Sequence, residues 1–246
     1  MTLHAIDDHL HWPPEETVFP VSKIRLRISI DDYPFTPAEQ AEAADNWHRE
    51  TAANPALYNG KMLFQHRLTM GGDTIAGQGH VVPYSAFLWW RRQQVPSSGY
   101  HLFGLPVPVS SDGAVIAVRM SNHTANPGQV YCPAGSLDPS DIVDGFADIA
   151  GNMAREVSEE TGLALGEADA DPQFYASHLR RRVTVFRLYR FALTADEMLE
   201  RIAAHMAVDE EQEISGAVAI RSADPQAHPY NRAMLPMLDW YFNSLN

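Results

Sequence analysis

From residue 154 to 163 the chain reads Ala-Arg-Glu-Val-Ser-Glu-Glu-Thr-Gly-Leu. Wound as a helix, this stretch sets Glu156, Glu159 and Glu160 on one face, because residues three and four apart are neighbours there. Three carboxylates so placed repel one another. A solvated acidic face is the commonest use of such a run; the chemical use is to hold a hard divalent cation through oxygen ligands. A cation held that way can neutralise phosphate oxygens, orient them and acidify a bound water, which is the chemistry of phosphoanhydride cleavage. Gly162 stands where a left-handed residue stops a helix.

The order R-E-V-x-E-E-x-G-L resembles the second half of the signature of the Nudix hydrolases, G-x5-E-x7-R-E-U-x-E-E-x-G-U, with U a bulky aliphatic residue. Arg155, Glu156, Val157, Glu159, Glu160, Gly162 and Leu163 match it. The resemblance implies the Nudix fold, an α+β (α-β-α sandwich) arrangement with a mixed β-sheet core between helices. It implies Glu156, Glu159 and Glu160 as metal ligands and Arg155 as the group that fixes a helix carboxylate by ion pairing. Magnesium suits an all-oxygen ligand set that retains water, and manganese fits as well. Pro133-Ala134-Gly135 stands where the family has P-G-G, which makes Gly135 a candidate in the substrate loop. Nudix proteins often carry a further glutamate, and Glu213 beside Ile214 matches it best. The base that takes a proton from water is Glu213 or one of the helix glutamates.

The chain also departs from the signature. Nineteen residues lie between Gly135 and Arg155 where the signature has thirteen, and its first glutamate falls on Ala147. Asp148 and Asp144 are the nearest acids. Either could cap the helix start, where a carboxylate accepts backbone N–H bonds and meets the helix dipole; Asp148 is preferred for this orienting role. The long insertion is similar to that of the UDP-sugar diphosphatase branch. Asp138-Pro139-Ser140-Asp141, preceded by Gly128-Gln129-Val130, is similar to the coenzyme A diphosphatase branch.

The elements that must position these residues can be read from periodicity and punctuation. Residues 1–20, with Pro13, Pro14 and Pro20, form an irregular lead-in. Lys23 to Ile30 alternates as a half-buried strand with Ile24, Leu26, Ile28 and Ile30 inward. Thr36-Pro37 opens a helix running towards Ala53, which Asn54-Pro55 ends. Lys61 to Met70 is a strand after the Asn59-Gly60 turn, and Ser85 to Val95 is a helix capped by Ser85. Trp89 and Trp90 are core or interface side chains. Pro96-Ser97-Ser98-Gly99 divides an N-terminal α/β extension (1–98) from the main domain (99–246). Strands follow at 102–109, 114–120, 173–178, 183–193 and 216–220, with a helix capped by Thr194 through His205 and an amphipathic helix from Asn231 to Leu245.

W-x6-N-P-x-L-Y-N-G, from Trp47 to Gly60, followed by Tyr84-x2-Phe87-Leu88, resembles the N-terminal region of the UDP-sugar diphosphatase branch. Together with the long insertion it implies a UDP-glucose-like substrate, with Tyr58 or Phe87 offering an aromatic face to the base. Coenzyme A and ADP-ribose are the alternative substrates, and a nucleotide-binding protein without catalysis is a third reading. The intact R-E-V-x-E-E argues against the last. Arg180-Arg181-Arg182 is either a solvated turn or a clamp in which Arg180 and Arg182 grip a diphosphate with bidentate geometry.

Composition narrows the partners. Eighteen basic residues stand against thirty-one acidic ones, a formal net charge of −13, so non-specific nucleic-acid binding is not expected. Lone Cys132 forms no internal disulfide and no cysteine-rich metal site. No apolar run reaches about 18 residues, and the start lacks the pattern of a secretion signal. The expectation is a cytoplasmic monomer or homodimer acting on a small nucleoside diphosphate derivative, without membrane or nucleic-acid partners.

Overall fold

The computed structural model describes residues 12–94, 96 and 98–244. Alternation and capping set the first elements. After β1 (Phe19–Val21), β2 (Lys23–Ser29) turns Leu26 and Ile28 inward, while Ile30, read as its last inward residue, lies beyond the strand and is fully exposed. Helix α1 (Pro37–Ala53) starts on a capping box in which Thr36 and Glu39 satisfy each other's backbone amides.

Next come β3 (Lys61–Gly71), β4 (Thr74–Pro83) and α2 (Tyr84–Arg92). The expected cap of α2 is corrected: Ser85 lies inside the helix, and its amide is capped from a distance by Asn59 Oδ1 at 2.8 Å. Val95, read as the end of that helix, and Ser97 of the following loop lie outside the described residues.

The remaining strands are β5 (His101–Val109), β6 (Val115–Met120), β7 (Val130–Tyr131), β8 (Ile142–Val143), β9 (Phe146–Ala147), β10 (Asp169–Ala170), β11 (Phe174–Leu179), β12 (Arg182–Arg190) and β13 (Ile214–Ile220). The remaining helices are α3 (Ile149–Thr161), α4 (Ala195–Met206) and α5 (Met234–Asp239). A single long closing helix from Asn231 is not formed. Asn231 Oδ1 accepts the Ala233 amide in a local turn, α5 begins at Met234, and a π-turn over Trp240–Ser244 follows. Leu245 lies outside the described residues.

Two mixed sheets result, with helices packed on them. The larger runs β1-β11-β12-β5-β6-β13, with β10 added beside β12 and β7 beside β6; its β12/β5 pair is parallel over nine residues. The smaller runs β3-β4-β2-β9-β8. Strands from both sides of residue 98 share each sheet. In the larger sheet β1 pairs with β11, and in the smaller β9 joins β2 at Arg27 and Phe146. The main hydrophobic core is continuous between them, and a second cluster of Tyr33, Met62, Phe64, Val82, Phe87 and Trp90 sits under α2.

The insertion before α3 is therefore built structure. Residues 139–141 form a 3-10 turn, and β8 and β9 form a hairpin through Asp144 and Gly145, both at positive φ. The Ile28 amide donates to Gly145 O and the Leu63 amide to Leu137 O, so the insertion is pinned to the N-terminal sheet at both ends.

The sequence pattern does not announce strand β4. Gly77 and Gly79 lower its strand propensity, yet β4 is an interior member of the sheet, parallel to β2 and antiparallel to β3. Glycine is needed there because a Cβ on Gly77 would lie 2.8 Å from Arg67 O and 3.0 Å from Leu26 Cδ2. Gly77→Ala is predicted to destabilise the protein by about 1–3 kcal/mol through overpacking. Gly71→Ala, with nothing within 4 Å of its added Cβ, should be close to neutral; urea unfolding of the two variants checks the ranking.

Candidate active site

Helix α3 is amphipathic in a particular way. Ile149, Met153 and Val157 are buried on its core side, where Met153 packs on Gly104 of β5. Asn152, Glu156 and Glu160 are buried on an adjacent polar side, and the side chain of Glu159 is 57% exposed. Asp148 Oδ1 accepts the Gly151 amide at 2.9 Å and caps the helix start. Gly162 ends it at φ 68°, covered by the His205 ring, whose Nε2 lies 2.8 Å from Glu159 O.

Arg155 organises the carboxylates. Its guanidinium reaches Glu156 at 2.9 Å, Glu159 at 2.9 Å and Asp141 at 3.1 Å. Asp141, a partner of Arg155, is not singled out by the sequence pattern. It is buried, accepts from Asn152 Nδ2 at 3.0 Å and from the Asp138 amide at 2.9 Å, and so is fixed before it meets Arg155. Asp144, the alternative to Asp148, stands in the β8–β9 hairpin turn away from the helix start. The one signal pointing to Asp141 was Asp138-Pro139-Ser140-Asp141, which forms a capped turn whose last carboxylate faces inward.

Gly135 lies directly against the Glu156 carboxylate, so any Cβ at 135 would occupy the space the carboxylate fills. Gly135, Glu156, Glu159, Glu160 and Glu213 line one acidic recess together with Arg155. Burial first, then Glu159, Glu213 and Asp141, raise Glu156 to about 7 against the pull of Arg155. Burial, Glu156 and Glu213 push Glu160 well above the usual carboxylate range. Glu213 is also raised, by burial and then Glu211.

Among the described residues no three His, Cys, Asp or Glu side chains already have the arrangement of a metal site; Glu156 and Glu159 are paired with Arg155. The donor set nonetheless fits a hard divalent cation. It is all oxygen, its members raise one another's protonation, and Glu160 Oε2 is buried without a hydrogen-bond partner.

The recess opens into a cleft of about 490 Å³ that shares Gly135, Glu156, Glu160 and Glu213 with it. Apolar side chains such as Phe103, Leu105 and Met120 line the cleft, and the N-terminal residues Leu57, Tyr58, Tyr84, Phe87 and Arg91 form one wall. Tyr58 is 84% exposed at the rim. Phe87 lines the cleft but is buried, its ring packed against Phe64, Tyr84, Trp90 and His101. Arg182 also lines the cleft. Arg180 does not: it is exposed, at φ 55°, and donates to Gln94 O at 2.5 Å. Trp90 is buried and donates to Ser98 O, and Trp89 reaches Glu42. None of the described helices is long and apolar enough to cross a membrane.

No family model matches the chain, and no curated protein matches it either. Several solved structures align with part of it. A MutT protein from Methanosarcina mazei Go1 aligns at 20% identity over 42% of this chain and 68% of its own, with a TM-score of 0.29. NrtR from Shewanella oneidensis aligns at 16% identity over 57% and 60%, with a TM-score of 0.38. RenU, a Nudix hydrolase from M. smegmatis, aligns at 13% identity over 57% and 80%, with a TM-score of 0.36.

Two predictions follow from the geometry. Asp141→Ala removes charge-assisted hydrogen bonds to Arg155 and Asn152 and should cost about 1.5–3 kcal/mol, while Asp148→Ala should cost about 1 kcal/mol as a lost cap; thermal and urea unfolding will rank them. The carboxylates give a pH dependence. Glu156 is raised from 4.5 to about 7 in the folded chain, and Glu160 and Glu213 are raised as well. The stability they contribute is full below the unfolded value and is lost as pH rises through the folded value. In chelator, the melting temperature should therefore fall between pH 5 and pH 8, and a rise across that window would contradict the arrangement.

Proposed function

We propose that the chain is a metal-dependent hydrolase of the Nudix type, cleaving the diphosphate of a nucleoside diphosphate derivative, with a UDP-sugar such as UDP-glucose as the preferred substrate class. The observation that carries this reading is the junction of the acidic recess with the cleft. Glu156, Glu160 and Glu213 face a space large enough for a small organic diphosphate, and the helix of Glu156 and Glu160 carries the motif that runs from Arg155 to Leu163.

Glu156, Glu159 and Glu160 would hold magnesium or manganese. When bound, the ion neutralises phosphate oxygens and acidifies a water. Arg155 keeps Glu156 and Glu159 from swinging away, and Asp141 keeps Arg155 in place. Glu213 borders both recess and cleft and its affinity for protons is raised, so it accepts the proton of the attacking water. The apolar walls exclude bulk water from the anhydride.

Recognition of the nucleoside belongs to the N-terminal wall. Phe87 spends its ring faces on core packing, which leaves Tyr58 as the free ring at the mouth. Such a ring suits stacking on a base that offers few polar edges, as uracil does.

With magnesium, UDP-glucose should yield UMP and glucose 1-phosphate faster than coenzyme A or ADP-ribose is cleaved, with the oxygen of labelled water in one product phosphate. Glu160→Gln should reduce turnover by about a hundredfold or more without unfolding the protein. Near-normal turnover in that variant would overturn the catalytic assignment. Preferential cleavage of coenzyme A or ADP-ribose would keep the hydrolase and replace the substrate.

A further inference from the structure

Two arginines in the cleft have no carboxylate of their own. Arg91 projects from α2, Arg182 opens β12, and both are half-buried and line the cleft. Among the described residues neither forms an ion pair, in a chain with thirty-one acidic residues to supply one. Their fixed partners are neutral oxygens. Arg91 donates to Asn126 Oδ1, and Arg182 donates to the Arg91 carbonyl at 2.8 Å. The two cations are close enough to repel, since burial first and Arg91 second hold Arg182 below its ordinary value.

His101 lies beside them and supplies no negative charge. It is stacked on Phe103, kept neutral by burial and by both guanidinium groups, and its Nε2 is buried without a hydrogen-bond partner. Bringing two cations together in a half-buried site without a counter-ion costs free energy. An anion arriving from outside offsets that cost, and guanidinium forks suit phosphate oxygens.

Tyr131 lines the same cleft and links the two groups, arginines and carboxylates. Burial first, then Glu160 and Glu213, raise its hydroxyl against the pull of Asn126 and Arg91, and Asn126, which Arg91 grips, donates to it at 3.3 Å. Arg91 and Arg182 line the same cleft as Glu156, Glu160 and Glu213, so one ligand in that cleft meets both groups.

Resting on the hydrolase reading above, we infer that Arg91 and Arg182 form a second anion subsite that takes the phosphate of the diphosphate not held at the recess, and so selects diphosphates over monophosphates. Arg91 would then be a specificity-determining residue contributed by the N-terminal wall of the cleft.

The test is calorimetric binding, with magnesium present, of α,β-methylene-UDP and UMP, repeated with the adenosine pair, to the full chain and to Arg91→Gln, Arg182→Gln and Arg91→Lys. The wild type should prefer the diphosphate analogue on the order of ten- to a hundredfold, and each Gln variant should bring the ratio to within about threefold. Arg91→Lys, which keeps charge but loses the fork, should fall between, and it decides the matter if the Gln variants do not fold. No preference in the wild type, or an unchanged ratio in the folded variants, would overturn the subsite. Hydrolysis of the nucleoside diphosphate panel is scored separately. An Arg91-dependent ratio in a wild type that cleaves none of them supports the subsite and counts against the hydrolase reading.

Discussion

The candidate site depends on a single guanidinium. Among the described residues Arg155 is the one positive charge lining the acidic recess, and it touches Glu156 and Glu159 there and Asp141 of the insertion within 3.1 Å. Burial lowers its proton affinity, but Glu156, Asp141 and Glu159 together raise it above the ordinary value. That sign says that the guanidinium gains more from the acids than its own desolvation takes away, whereas for Glu156 burial outweighs the pull of Arg155. Removing one partner from such a group leaves the others buried and uncompensated, which is why paired buried charges fail together.

The position of Arg155 is in turn set by residues far from it in sequence. Asp141 is fixed by the turn that Asp138 and Pro139 start, and its carbonyl accepts the Asp148 amide at 2.8 Å, where α3 begins. The hairpin that follows is the edge of the smaller sheet, hydrogen-bonded to β2. A continuous path of backbone hydrogen bonds thus runs from the N-terminal strands, through the insertion, to the first turn of the helix that carries the acidic motif. The insertion does not decorate a finished site; it supplies the carboxylate that orients the arginine.

How much of this was legible in the sequence follows from how local each device is. The caps Thr36 and Thr194 and the stop Gly162 act within one turn of chain, and each is read from the sequence and found in place. Strand β4 is not, because the glycines that weaken its local signal are required by the close approach of β3 and Leu26, which no window of sequence contains. Asp141 escaped for a related reason. Counting back from Arg155 along an ideal spacing leads to Ala147, whereas the hairpin folds the intervening residues out and returns a carboxylate fourteen positions upstream to the helix. Arg180 and Arg182 look equivalent in sequence. The tight turn at φ 55° sends Arg180 to Gln94 and leaves only Arg182 on the cleft.

The two ends of the cleft also follow different logic. Among the carboxylates, burial first and mutual repulsion second raise the proton affinity, a condition that a divalent cation relieves and a solvated face does not need. At the other end, two arginines stand without carboxylates in a strongly acidic chain. A ligand that satisfies both must itself be anionic where it meets the arginines and must share a cation where it meets the glutamates. The wall between them comes from α2 and the loop at 54–60, tied to the opposite side of the cleft by Asn54 Nδ2 to His123 O at 3.3 Å and by Arg91 to Asn126. Those ties put the N-terminal residues in position to decide which anion is accepted. The acidic helix would then carry out the same reaction on whatever that wall admits, so changes of substrate in this fold are expected to arise on the wall and to leave the motif from Arg155 to Leu163 untouched.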